Sequence, residues 1–144
     1  MIVVVGGGIA GLSVAAAAAG AGAKVTVLEA NRIAGGASGV ATSYLEPRLG
    51  QTAMRRLEWE ALVRWTDYAG ALQESTGIDV GFRTEGQLKV TTADNHSAFE
   101  KDMDKRAAQA WPLERISPGD ALSLEPALSP DIVDAAFLPQ VRWV

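Results

Sequence analysis

The sequence predicts an α/β protein whose amino end is one parallel βαβ unit and whose remainder begins an α+β domain. Three observations predict it. A β-branched run, Ile2 to Val5, leads into spaced glycines, an alanine-rich stretch and a second strand-like run, "KVTVLEA". Past residue 50, a long helical pattern is followed by short strand-like runs and further helix signals, a mixture of the α+β kind. The first run has the unbroken apolar character of a strand buried on both faces of a parallel sheet, yet the 144 residues offer too few strands to flank it. The fold is therefore expected to be incomplete as a stand-alone structure, because an uncovered strand of this kind is an aggregation site.

The uncharged stretch from Met1 to Ala23 is long enough to span a bilayer, which needs about 20 apolar residues. It is mostly Ala and Gly, which drive insertion poorly compared with Leu, Ile and Phe. A signal peptide wants positive charge before its apolar core, and Met1-Ile2-Val3 offers no charged side chain. No membrane association is expected, and with no export signal the expected compartment is the cytoplasm.

Taken in order, Ile2 to Val5 is the first strand and the alanines from Ala15 to Ala19 form a thin-faced helix that Gly20 or Gly22 ends. Val25, Val27 and Leu28 make the second strand. Residues 31–47 are small and Gly-rich, hence loop. Gln51 to Ser75 reads as one helix with Met54, Leu57, Ala61, Trp65, Tyr68 and Leu72 on its inner face. Arg56–Glu60 and Glu60–Arg64 are spaced to pair on its wet side, and Gly77 is its stop. "IDVGFRTEGQLKVTT" reads as a hairpin turning at Thr84-Glu85-Gly86. A more polar helix follows from about Asp94 to Ala110, with Phe99, Met103, Ala107 and Ala110 inward. Ser117 caps a further helix with Pro118 in its first turn, and "AAFLP" is another short strand.

The glycines of the first turn fall as Gly6-x-Gly8-x-x-Gly11, and each has its own task in a dinucleotide-binding turn. Gly6 permits the tight exit from the strand. Gly8 lets the backbone approach a pyrophosphate, and Gly11 lets the helix pack close to the sheet. The helix N-terminus supplies free N–H groups and partial positive charge. Glu29 closes the second strand 18 residues past Gly11, near the spacing at which an acid meets the ribose hydroxyls. The order of strand, triplet, helix, strand and acid defines a Rossmann-type unit, which an ordinary Gly-rich turn would not explain.

Composition excludes several chemistries. The net charge of −4 gives polyanions no bulk attraction, so no nucleic-acid partner is expected. The absence of Cys removes disulfides, thiolate metal sites and Cys nucleophiles from this chain, and one histidine, His96, cannot hold zinc by itself. No metal is expected.

The first motif, together with "GGASGVATSYLEPRL", resembles the N-terminal part of the FAD-dependent D-amino-acid oxidase family, which includes glycine-oxidase and sarcosine-oxidase types. "GIDVGFRTEGQLKVTT" and "LSLEPALSPDIVDAAFLPQ" resemble the glycine-oxidase type as well, so the likeness covers essentially the whole chain. It implies FAD as cofactor, with Gly6, Gly8, Ile9, Ala10 and Gly11 on the pyrophosphate and Glu29, Ala30 and Asn31 on the adenosine ribose. It implies Ala37 and Ser38 on the phosphates from the second loop, and Thr42, Ser43 and Tyr44 along the flavin. Many relatives carry Ala-Gly-Met where this chain has Ala41-Thr42-Ser43, so larger polar side chains stand at a close-approach position. The resemblance divides the chain into an FAD-binding first segment, 1–78, and the beginning of a substrate-binding α+β domain, 79–144.

The activity so implied is oxidation of an amino acid or amine by hydride transfer to flavin, with thiamine biosynthesis as a setting. The substrate is then a small amine, and the remaining partner is a completing C-terminal segment or a second copy of the chain. The catalytic residues are expected beyond Val144. His96 is expected to be solvent-exposed, the four Trp to be packing residues, and Glu58, Glu60 and Asp67 to form a solvated face. Arg48, just after the second loop, is a candidate for an anionic substrate or a phosphate. Two other readings stand beside this one: a flavin oxidoreductase acting on a modified tRNA base, to which "LEPRLG" bears a slight likeness, and a truncated, non-catalytic nucleotide-binding product.

Overall fold

The computed structural model describes residues 1–48 and 50–144. The chain forms two compact units, Met1–Thr42 and Ser43–Val144. This is a division by packing. The division at residue 78 is one by role and is kept as a proposal.

In the first unit, β1 (Ile2–Val5) runs parallel to β2 (Val25–Leu28), with Ile2 opposite Val25 and Val5 opposite Leu28. The crossover is α1 (Ile9–Gly20), whose alanines let it lie close to the two strands; Ala15 is buried. The sheet has these two strands alone among the described residues, and several of its apolar side chains are left open to water. Val3 is 49% and Val5 82% exposed, against the burial their composition calls for. The expectation of a partial fold holds.

The second unit begins with β3 (Tyr44–Leu45) and the long α2 (Ala53–Thr76). There follow β4 (Gln87–Thr92), α3 (His96–Ala108), β5 (Glu114–Ile116), α4 (Pro118–Leu124), β6 (Ile132–Leu138) and β7 (Arg142–Trp143). β6 is the middle strand of an antiparallel sheet ordered β4-β6-β5, and β3 pairs with β7. The core gathers on β6: Ala136 meets Phe99 and Met103 of α3, Leu138 meets Trp111 and Val141, and Ile132 and Ala135 meet Ala121. As expected, Gly77 ends α2 in the left-handed region at φ 70°, and Ser117 caps α4 by accepting the Asp120 N–H at 3.1 Å.

Several expectations are corrected. The hairpin at Thr84-Glu85-Gly86 does not form. Arg83 bridges to Trp143, and β4 takes β6 as its neighbour. A Cβ on Gly86 would fall 2.7 Å from the Phe137 ring, so this glycine is pressed against β6. The inner face of α2 is rotated from the expected one. Leu62 and Ala69 are buried, with Trp59 packed on the Trp111 cluster, whereas Met54, Leu57 and Tyr68 are exposed. An i, i+3, i+4 pattern fits two neighbouring faces when apolar residues border both, and tertiary contact chooses between them. On α3, Phe99 and Met103 are inward as expected, but Ala107 is exposed, Ala110 lies past the helix end and is exposed too, and Arg106 is buried.

Arg106 is held by three groups. It pairs with Glu46, donates to Asp102 Oδ2 at 3.1 Å, and lies with its guanidinium carbon 5.5 Å from the centre of the Trp111 ring. Lys89 pairs with Asp102 as well. A buried guanidinium survives only with its charge matched in this way. On the wet side of α2, Arg56–Glu60 and Glu60–Arg64 are not closed as ion pairs among the described residues. Glu58 instead takes both Arg48 and Arg55, so it is an ion-pair hub rather than part of a merely solvated face.

Candidate cofactor-binding site

The site is built in the first unit, where β1 gives way to α1. Gly6 leaves the strand at φ 105°, a conformation L side chains rarely adopt, and its N–H donates to Leu28 O at 2.8 Å. A Cβ on Gly11 would lie 2.1 Å from Gly6 O, so the first turn of α1 can sit on the loop only if residue 11 has no side chain. The loop crest is thereby fixed against the start of α1.

Two side chains from later in the chain meet that crest. Glu29, at the end of β2, accepts the Gly7 N–H on Oε2 at 2.7 Å and the Asn31 N–H on Oε1 at 2.9 Å. Those two backbone bonds, Asn31's first, hold its carboxyl below the usual carboxylate range. The 3₁₀ turn Ala37–Gly39 presents Ser38, whose Oγ accepts the Ile9 N–H at 3.0 Å. Ala34 donates to Gly7 O at 2.9 Å, which ties the second loop to the first.

The arrangement fits a dinucleotide. Gly8 caps α1 without any side-chain bond of its own, and with the Ile9 N–H taken by Ser38 Oγ the N–H groups of Ala10 and Gly11 are the ones left for a ligand's oxygens. A Cβ at Gly8 would press on Ser38 Oγ at 3.0 Å, so the glycine lets the second loop lie close over the first turn. Each Glu29 oxygen uses one lone pair on the backbone and keeps another for a ribose hydroxyl.

Gly6, Gly8, Ile9, Glu29, Asn31 and Ser38 are brought together in this way. Ala10 and Gly11 continue the same turn, Ala30 lies between Glu29 and Asn31, and Ala37 opens the 3₁₀ turn. Thr42 ends the first unit, and no side-chain bond joins it to the crest among the described residues. Ser43 and Tyr44 belong to the second unit. Ser43, at φ 57°, accepts the Val144 N–H at 3.0 Å; Tyr44 lies 5.0 Å from Trp143 and hydrogen-bonds Glu46 and Gln87. Gly7 and Ile33 escaped the sequence reading. Gly7 falls on a variable position of the fingerprint, and its tie to Glu29 spans 22 residues; a Cβ there would strike Ile33 Cδ1 at 2.8 Å.

Outside the crest, Arg48 is engaged by Glu58 through its backbone N–H and its guanidinium. His96 is half-exposed as expected, but it is not idle: its Nε2 is 3.2 Å from Asp134 and 3.6 Å from Glu100, and Arg115 pairs with both carboxylates. The four Trp pack as expected, Trp59 on Trp111 at 5.2 Å and Trp65 on Phe82 at 6.2 Å. No helix among the described residues is long and apolar enough to cross a membrane.

A parallel βαβ unit with a glycine crest, an acid at the end of its second strand and a serine over the first turn is the arrangement of a Rossmann-type unit. The chain belongs to the FAD dependent oxidoreductase family, whose pattern matches residues 1–144. It is 27% identical to the glycine oxidase of Bacillus cereus, with a TM-score of 0.88 over 99% of this chain and 39% of that one. The glycine oxidase of Geobacillus kaustophilus, at 24% identity and a TM-score of 0.86, shares the fold over 99% of this chain and 40% of its own. A curated relative is the tRNA 5-methylaminomethyl-2-thiouridine biosynthesis bifunctional protein MnmC of Nitrosospira multiformis, 32% identical over 122 residues, which are 83% of this chain and 19% of that protein. The chain thus spans well under half the length of the proteins it matches.

Proposed function

We propose that this chain is the FAD-binding N-terminal portion of an oxidoreductase that oxidises a small amino acid or amine, of the glycine-oxidase kind. The observation that carries the reading is the Glu29 carboxylate seated on the Gly7 N–H beside the N-terminus of α1. The match to a glycine oxidase at 27% identity supports the substrate class. Gly6, Gly8, Ile9, Ala10 and Gly11 hold the pyrophosphate, Glu29 with Ala30 and Asn31 holds the ribose, and Ala37 and Ser38 close over the phosphates. Thr42, Ser43 and Tyr44 line the path to the flavin.

FAD, when bound, supplies the acceptor for the hydride leaving the amine carbon. The chain's own residues bind and orient. The N–H groups of the first turn of α1 donate to the phosphate oxygens, and Glu29 accepts from the sugar hydroxyls. Residues 79–144 begin the domain that receives the substrate. A completing segment that covers β1 and β2, from the same polypeptide or from a second copy, supplies the groups that contact the amine. A cytoplasmic setting and a place in thiamine biosynthesis rest on the family likeness.

A second reading is favoured by the relative MnmC, whose name places it in tRNA 5-methylaminomethyl-2-thiouridine biosynthesis. Under it the oxidised amine is carried on a modified tRNA base. Flavin absorbance of the chain joined to its completing segment separates both readings from a non-catalytic nucleotide-binding product. Peroxide release on glycine then supports the first reading, and turnover of modified tRNA with none on glycine supports the second.

A further inference from the structure

We propose that the second unit carries a phosphate-binding cleft walled by Arg48, Arg55, Lys105 and Arg106. The cleft is about 290 Å³ and lies between the segment Glu46–Arg48, the start of α2 and the last turns of α3. These four cations line it with two carboxylates, Glu46 and Asp102, while Glu58, which holds Arg48 and Arg55, and Lys89, which pairs with Asp102, stand behind them. A local positive excess in a chain of net charge −4 is the opposite of what chance placement on an acidic surface would give. Like charges gathered this closely repel, and the three carboxylates offset only part of that cost.

The donors left over suit a tetrahedral dianion. A guanidinium carries five N–H groups, and the bonds to carboxylates use two from the Arg48 side chain, one from Arg55 and two from Arg106. No carboxylate lies within ion-pair distance of Lys105 among the described residues, so its ammonium is available to a ligand. The Arg106 side chain is 9% exposed, pinned by Glu46 and Asp102, so its remaining donors are fixed in place before any ligand arrives. Planar forks beside a mobile ammonium are the usual means of holding a phosphate. Every residue of the cleft belongs to the second unit, and every residue of the glycine crest to the first.

The test is a titration of the full chain with inorganic phosphate against chloride at matched ionic strength, read by amide NMR shifts. Saturable shifts at Glu46, Arg48, Arg55 and residues 102–106 are expected, and Lys105→Glu should weaken them by about tenfold or more through charge reversal. The same reversal at Lys24, in the first unit, should change nothing, and Gly8→Val, which blocks the crest, should leave the cleft's response intact. A short oligoribonucleotide that binds more tightly than phosphate and is sensitive to Lys105→Glu would make an RNA backbone the source; equal affinity would make it a free phosphate group. Absence of saturation, equal weakening by the Lys24 and Lys105 reversals, or loss of the response in Gly8→Val would overturn the proposal.

Discussion

The Glu29 carboxylate accepts the Gly7 backbone N–H at 2.7 Å, joining the end of the second strand to the crest of the first turn. One oxygen of an exposed acid thereby fixes the loop that faces the phosphates, while the other is steadied by Asn31. The same side chain organises the crest and offers the sugar its acceptors. Removal of Glu29 should therefore damage cofactor binding twice over. Glu29→Ala is expected to weaken FAD binding by about 10- to 100-fold, the worth of hydrogen bonds to a charged group. Titration followed by flavin fluorescence measures this.

Acid should have a related effect. The Glu29 carboxyl is held below its usual range by its backbone partners, so it binds its proton more readily in the unfolded chain than in the folded one. Its contribution is complete above the ordinary carboxylate range of about 4 and is lost as pH falls through the lowered folded value. Unfolding of the first unit followed from pH 7 downward should show that loss, and Glu29→Gln should flatten it.

Ser38 is a smaller contributor. Ser38→Ala removes the acceptor for the Ile9 N–H and should weaken FAD binding by about fivefold, in line with one hydrogen bond of about 1 kcal/mol. The fold should be unaffected, because Ser38 lies on an exposed turn. Circular dichroism beside the titration separates the two effects.

In the second unit, stability should follow the observed face of α2. Leu62→Ala is expected to cost about 2–4 kcal/mol, since Leu62 is buried, and Leu57→Ala within about 0.5 kcal/mol of nothing, since Leu57 is 58% exposed. Urea denaturation of both variants checks the rotation directly. If Leu57→Ala proved the costly one, the helix would be seated on its other face.

Arg106→Met should be among the most damaging substitutions in the chain. It leaves Glu46 without its ion-pair partner and Asp102 with Lys89 alone, at a cost of about 3–5 kcal/mol for a broken buried pair. The loss shows as a lowered urea midpoint with the slope unchanged.

These contrasts mark what local sequence encodes. The βαβ unit was legible because each of its parts is a local signal: β-branched strand, spaced glycines, alanine helix, terminal acid. Ser38 was marked by its small-residue loop and the family likeness, but its bond to Ile9, spanning 29 residues, was out of reach of any local signal. Gly7 was invisible, because a fingerprint marks where side chains are forbidden and not where a backbone N–H finds its acceptor. The hairpin at Gly86 failed for a similar reason. A glycine between two strand-like runs reads as a turn, but here it makes room for Phe137 from β6, about 50 residues on. Arg106 was missed because charge argues for water unless its partners are known, and one of them, Glu46, lies 60 residues away.

The most direct measurement is calorimetric titration of the chain, joined to its completing segment, with FAD and with ADP as the half-ligand for the crest. Saturable binding of both is predicted, with ADP competing against FAD and both lost in Gly8→Val. FAD that binds without competition from ADP, or equally well in Gly8→Val, would contradict the assignment of the crest as the cofactor's seat.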